Sequence, residues 1–254
     1  MKLAGLAILF LFQIDAVDLK PETLQAFERY VAQAEQKLNA RKTFLWADES
    51  PERARQVQEG AIVVQPTGAK DEVAVTNGLV HDWVGAVFIP GVTVGQTVRF
   101  VQDYDRHKQY YKPEVVDSRV LSRDGNDFRV YMRLLKKKVI TVVLNTEHDV
   151  RYTEVDSKKW RSVSRTTKVA EVEDAGKRGE HELPPGTGHG FLWRLDSFWR
   201  FEERDGGTWV ECEALSLTRD IPAGLGWIIN PIVRSLPKES LENTLRATRT
   251  ALAK

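Results

Sequence analysis

Residues 191–218 read FLWRLDSFWRFEERDGGTWVECEALSLT, and the fold turns on how this stretch is read. Its first half alternates, with Phe191, Trp193, Leu195, Ser197, Trp199 and Phe201 on one face and Leu192, Arg194, Asp196, Phe198 and Arg200 on the other. A period of two marks a strand with one face turned to a core. Asp205-Gly206-Gly207 then supplies residues that tolerate left-handed backbone, and an apolar run resumes from Thr208 to Thr218. Two such runs across a short glycine turn make a β-hairpin. The face carrying Trp193, Leu195 and Trp199 is expected to point inward. On the second strand Val210, Cys212, Ala214 and Ser216 form a small-residue face, which leaves free volume where it points the same way.

Upstream the same signals recur. Leu79–Ile89 is apolar and β-prone and stops at Pro90-Gly91. Thr93-Val94-Gly95-Gln96 fits a capping box, and Val94, Val98 and Val101 share a helical face. Asp103-Tyr104-Asp105 reads as a break between two short helices, the second ending at Lys112-Pro113. Strands follow over 114–122, 127–135, 139–150 and 160–172, with turns at Arg123–Asn126 and Lys136–Lys138 and a glycine-rich loop over 174–188. Downstream, Leu241, Leu245, Thr248 and Leu252 lie on one face of a terminal helix with Ser235 as N-cap and Pro237 in its first turn. An unusually apolar connection, 223–233, leads into it. The expectation is an α+β chain in which a curved antiparallel sheet of about seven strands wraps around this helix. A long antiparallel sheet curls, and one helix cannot fill its concave side, so a cavity is expected.

The domain plan has three parts: 1–16, 17–77 and 78–254. Lys2 precedes an uncharged run from Leu3 to Phe12, and Ala16 offers a small residue for cleavage. That pattern is a secretory signal peptide and is too short to span a bilayer. Export to the periplasm or outside the cell is therefore expected. Residues 17–77 read as a helical extension, with a helix over Lys20–Ala40 whose stripe is Leu24, Phe27, Val31, Ala34 and Leu38, then a short helix near 51–58 and a short strand over 60–66.

Composition narrows function. The 254 residues are 42% hydrophobic and 29% charged with a net charge of +1, so no excess of positive charge points to nucleic acid. The single cysteine, Cys212, excludes an internal disulfide. The five histidines form no cluster with metal-ligand spacing, so no metal or other cofactor is expected. No Gly-x-Ser-x-Gly elbow is present. Gly186-Thr187-Gly188-His189-Gly190 precedes a strand and does not open a helix, so it reads as a rim loop or lid and not as a phosphate cradle.

The element order resembles the START-like (SRPBCC) superfamily, the helix-grip fold of lipid-transfer START domains, polyketide cyclase-like proteins and the birch-pollen-allergen group. The resemblance runs over residues 78–252. It is carried by Gly91-Val92-Thr93 through Val101-Gln102-Asp103-Tyr104-Asp105, by Tyr110-Tyr111-Lys112-Pro113, by the hairpin from Phe198 to Glu211, and by Leu215–Pro222 and Ser240–Leu245. It implies a deep pocket for a sterol, phospholipid, fatty acid or polycyclic compound and implies no catalytic residue.

Residues 17–77 have no counterpart in that minimal domain. The candidate cavity residues are Trp193, Leu195, Trp199, Cys212, Ala214, Ser216, Leu241 and Leu245, with Arg194 and Arg219 as candidate head-group contacts. Three functions stay open at this point. One is an exported, monomeric carrier of a hydrophobic small molecule with transient membrane contact. Another is a cyclase or dehydratase using tyrosines such as Tyr104 or Tyr131 as general acid and base. The last is an envelope module whose extension docks a partner.

Overall fold

The computed structural model describes residues 16–137, 140–220 and 234–253. The signal-peptide reading up to residue 15, the apolar connection over 223–233 and Lys138 of the proposed turn therefore lie outside the described residues. Helices are α1 (Pro21–Ala40), α2 (Pro51–Gln58), α3 (Val94–Gln102), α4 (His107–Tyr110) and α5 (Ser235–Leu252). Strands are β1 (Val63–Pro66), β2 (Val73–Val75), β3 (Gly78–Pro90), β4 (Val115–Asp124), β5 (Asp127–Lys137), β6 (Thr141–Asp156), β7 (Lys159–Glu173), β8 (His181–Glu182), β9 (Arg194–Arg204) and β10 (Gly207–Arg219).

The strands form one antiparallel sheet in the order β1-β3-β10-β9-β7-β6-β5-β4, with β2 added to β3 and β8 to β7. This is the α+β helix-grip arrangement that the sequence predicted. Among the described residues ten strands replace about seven: β1 is the short strand expected over 60–66, which joins the main sheet, and β2 and β8 span three and two residues, too short for a side-chain pattern to signal. The β9–β10 hairpin closes through Asp205 and Gly206, both at positive φ (56° and 76°), the backbone that a two-residue primed turn requires. The capping box at Thr93 and Gln96 is present. Ser235 is not a cap: it is the first residue of α5, and Arg234 precedes it with no side-chain cap.

Burial on β3 explains a run that is apolar but for His81 and Asp82, since every residue from Gly78 to Ile89 is buried. A strand covered on both faces has no polar alternation. On its inner face Trp83, Val87 and Ile89 meet Val210 of β10 and Leu241 and Leu245 of α5. On its outer face lies the N-terminal extension. The stripe Phe27, Val31, Ala34 and Leu38 of α1 packs with Val80, Phe198, Leu215 and Leu217, while Leu45, Trp46 and Val57 pack with Val84, Phe88 and Trp209.

Buried charges fasten that outer layer. Arg41 pairs with Glu211 at 2.5 Å, and Glu211 also accepts the Trp46 amide. Arg200 donates to the carbonyls of Phe44 (2.8 Å) and Leu38 (2.9 Å). Beside them, Glu213 and Asp82 lie under α1, where Tyr30 donates to Asp82 at 3.1 Å.

Helix α5 sits close on the sheet because β3 carries glycine at position 85. A Cβ there would lie 2.7 Å from Leu245 Cδ1 and 2.9 Å from Val64 Cγ2. Gly85→Val is expected to lower stability by about 1–3 kcal/mol, the usual effect of overpacking. Thermal unfolding checks this, and an unchanged midpoint would remove the close-approach argument.

A second prediction concerns pH. Burial, with the charges of Asp82 and Glu211, pushes the Glu213 carboxyl from 4.5 up to about 8. Between those values the folded protein binds the extra proton, so stability falls as pH rises. Below 6.5 the buried histidines His81, His107 and His148, each lowered to about 4, act in the opposite sense. From about 6.5 to about 8 those histidines no longer oppose Glu213, and the comparison with Glu213→Gln separates it from the other raised groups, Asp82, Asp196, Glu211 and His189. Across that range the denaturant midpoint of the wild type should fall more steeply than that of Glu213→Gln; parallel slopes would contradict the assignment.

Candidate functional site

The inner face of the sheet is filled on one side and hollow on the other. α5 packs against β3, β1 and β10. Between it and strands β5, β6, β7 and β9 a cavity of about 660 Å³ remains. That volume lies within the range of small-molecule sites.

Short side chains make the room. The register places Ala214, Ser197 and Ser164 in one cross-strand row, and Cys212, Trp199 and Ser162 in the next. Longer apolar residues, Met132, Leu134, Leu144 and Val150, line the far wall. Phe191 and Leu192, just ahead of β9, line it at another edge. The α3–α4 segment supplies an aromatic wall in which Tyr104, His107 and Tyr111 follow one another at ring separations of 4.6 and 4.8 Å. Lining residues reach solvent where the segment 109–113 faces α5: Gln109, Lys112, Pro113, Asn243, Arg246 and Thr250 are exposed. At this opening Lys136 is engaged by Glu114 and by Ser240 (2.6 Å), and Asn243 donates to Glu114 at 2.7 Å.

Most polar groups in the wall are already bonded to the protein. The Tyr104 and Tyr152 hydroxyls are 2.7 Å apart, and Tyr152 donates to the Val101 carbonyl. The Tyr111 and Thr248 hydroxyls are 3.0 Å apart, and Thr248 donates onward to the Thr244 carbonyl. Burial raises all three tyrosines above their ordinary value. Burial, then the Glu213 and Glu211 charges, raises the Cys212 thiol as well, so it stays protonated. The same desolvation lowers His107 and His148 to about 4. The wall of the cavity is thus electrically neutral near pH 7, and its charges stand at the opening. Among the described residues no group of acidic, histidine or cysteine side chains is placed to hold a metal ion.

Of the residues predicted from sequence, Leu195, Trp199, Cys212, Ala214, Ser216 and Leu241 line the cavity. Leu245 does not; it is fully buried over Gly85. Trp193 lies on the opposite side of the sheet with Phe27 and Phe198. It precedes the first residue of β9, so the alternation that holds from Leu195 onward does not extend to it. Arg194 also lies off the cavity: it donates to the Trp193 carbonyl at 2.8 Å and feels the charges of Asp196 and Glu28. Arg219 is buried at the end of β10, donating to the His189 carbonyl at 3.3 Å. Neither residue is among those that line the cavity. Tyr131 is likewise outside the wall and donates to Asn145 at 2.9 Å.

The glycine-rich stretch is not a free rim loop. Glu171 accepts from the His189 amide (2.8 Å) and its Nδ1 (2.9 Å), and Val17 and Leu19 donate to the carbonyls of Gly188 and Gly186. Sequence reasoning missed His148, Ser162, Ser164 and Tyr152. Period-two counting along β6 and β7 places all four, because alternate residues share a face.

No family model matches the chain, and no curated protein is similar to it in sequence. Solved structures similar to it include ones described as START or STAR-related lipid transfer proteins. The STAR-related lipid transfer protein (fragment 25–204) from Xanthomonas axonopodis is 17% identical, with 73% of this chain and 100% of that one covered and a TM-score of 0.46. TTHA0849 from Thermus thermophilus is 18% identical, with 66% and 94% covered and a TM-score of 0.48. A START superfamily protein from Mycobacterium smegmatis is 12% identical, with 68% and 97% covered and a TM-score of 0.43. At these values the likeness is one of outline alone.

Proposed function

We propose that this protein is an exported carrier that encloses one mostly apolar small molecule between its sheet and α5. The observation that supports this reading most is the cavity of about 660 Å³ with an apolar, uncharged wall and a polar opening. Burying an apolar molecule there gains about 25 cal/mol per Å² of surface removed from water. The cyclase or dehydratase reading has less support. General acid–base catalysis works best with groups whose pKa lies near the working pH. The histidines in the wall are lowered to about 4 and the tyrosines are raised, each in the direction that weakens it. Export rests on the pattern of residues 1–16. A monomer that touches membranes only in passing, to load and release, completes the proposal.

Purified protein expressed with residues 1–16 intact is expected to release a lipophilic compound into organic solvent at close to one molecule per chain, read by mass spectrometry. Ala214→Phe, which fills the floor, is expected to remove most of that compound while changing stability by no more than about 1–3 kcal/mol. An empty wild-type extract, or an extract unchanged by the substitution, would count against the carrier. The same preparation tests export: the mature N-terminus should be Val17, recovered outside the cytoplasm. Protein retained in the cytoplasm with Met1 intact would sink that part of the reading.

A further inference from the structure

Two residues that line the cavity, His148 and Ser216, each carry a buried polar atom with no hydrogen-bond partner: Nδ1 of His148 and Oγ of Ser216. Their residues are 2% and 6% exposed. Buried polar groups are nearly always satisfied, and one left open in a native cavity asks for an occupant. His148 is the more informative. Its Nε2 lies 3.0 Å from Thr146 Oγ1, and that hydroxyl gives its own proton to the Met132 carbonyl at 3.1 Å. With the hydroxyl proton assigned to that carbonyl, the hydroxyl accepts from Nε2, and the imidazole proton is assigned there. Nδ1 is left as a bare lone pair, an acceptor with nothing to accept from.

The neighbourhood repeats this arrangement. Across the β3–β10 ladder from Ser216 stands His81. Its Nε2 lies 3.1 Å from Thr218 Oγ1, which donates to the Arg219 carbonyl, and its Nδ1 is also unpartnered. The charged lining residues, by contrast, stand at the opening: Lys112, Glu114, Lys136 and Arg246.

Resting on the carrier reading, we propose that the ligand is an uncharged molecule with a hydroxyl or N–H group that goes in first, donating to Nδ1 of His148 and exchanging a hydrogen bond with Ser216. Its apolar body then lies along Trp199 and Leu144 toward the opening. An ionised head group cannot take the inner position, because no opposite charge lines it among the described residues, and an unpaired buried charge is strongly disfavoured. A purely hydrocarbon ligand leaves Nδ1 desolvated and unpaired, which weakens its binding relative to a hydroxylated one.

Three fluorescent probes of one shape separate the possibilities: pyrene, methoxypyrene and hydroxypyrene, titrated at neutral pH into the full-length mature protein stripped of endogenous ligand. Hydroxypyrene is expected to bind about tenfold more tightly than the other two, the worth of one hydrogen bond to an otherwise unpaired buried acceptor. In His148→Leu the three affinities should converge through loss of hydroxypyrene binding, with pyrene retained. Equal affinities in the wild type overturn the anchor and leave the carrier reading standing; binding of none of the three overturns both. Should His148→Leu fail to fold, nitrogen chemical shifts of His148 in the wild type decide. Free protein should give the Nε2–H tautomer, and the Nδ1 resonance should move when hydroxypyrene is added and stay when pyrene is. An Nδ1–H tautomer, or no shift with either probe, overturns the proposal.

Discussion

The seating of α5 on β3 is the contact on which the rest of the molecule depends. Gly85 has no side chain, so Leu245 and Leu241 reach the sheet where a Cβ would collide with Leu245. The helix is thereby drawn to the β1–β3–β10 side of a long curved sheet. One helix about 27 Å long, at 1.5 Å per residue, cannot also cover β5 to β9. The uncovered part stays hollow because its floor is built from serine, alanine and cysteine. A close fit at one edge and short residues at the other are two halves of one arrangement, and the cavity is its result.

The outer layer answers a different need. Strands β3, β9 and β10 carry Val80, Val84, Phe88, Phe198, Leu215 and Leu217 on the face away from α5. Left bare, that surface would be an exposed apolar patch of the kind that drives association. Residues 17–62 cover it with α1, α2 and the segment between them. The cover is fastened by buried polar groups as well as by packing. Glu211 is satisfied by Arg41 and the Trp46 amide, and Arg200 by two carbonyls. Removing one partner of such a buried pair leaves an uncompensated charge, which is why these contacts hold the layer in one position.

Electrostatics divide the molecule into zones. Buried carboxyls and guanidinium groups gather on the outer side of the sheet, under the extension. The cavity on the inner side is lined by groups that desolvation keeps neutral: tyrosines raised, histidines lowered, the thiol protonated. Charge returns only at the opening, where Lys136 and Glu114 tie α5 to the start of β4. A wall of this character disfavours ions, because a charge there would lose its hydration without gaining an opposite charge.

Local pattern by itself determines much of this protein. Period-two alternation, glycine turns and the capping box at Thr93 located the long strands, the β9–β10 hairpin, α1, α3 and α5, because each depends on residues close in the chain. The same counting placed Leu195, Trp199, Cys212, Ala214 and Ser216 on one face. It failed at Trp193, where regular strand geometry has not yet begun, and at Ser235, where no side chain caps the helix. Short strands such as β2 and β8 were illegible because they exist only through pairing with β3 and β7. What the tertiary structure alone decided was where α5 comes to rest, which groups burial strips of charge, and which polar atoms are left without partners. Those outcomes depend on contacts between residues more than a hundred positions apart, such as Gly85 with Leu245 or Tyr111 with Thr248, and no local periodicity encodes them.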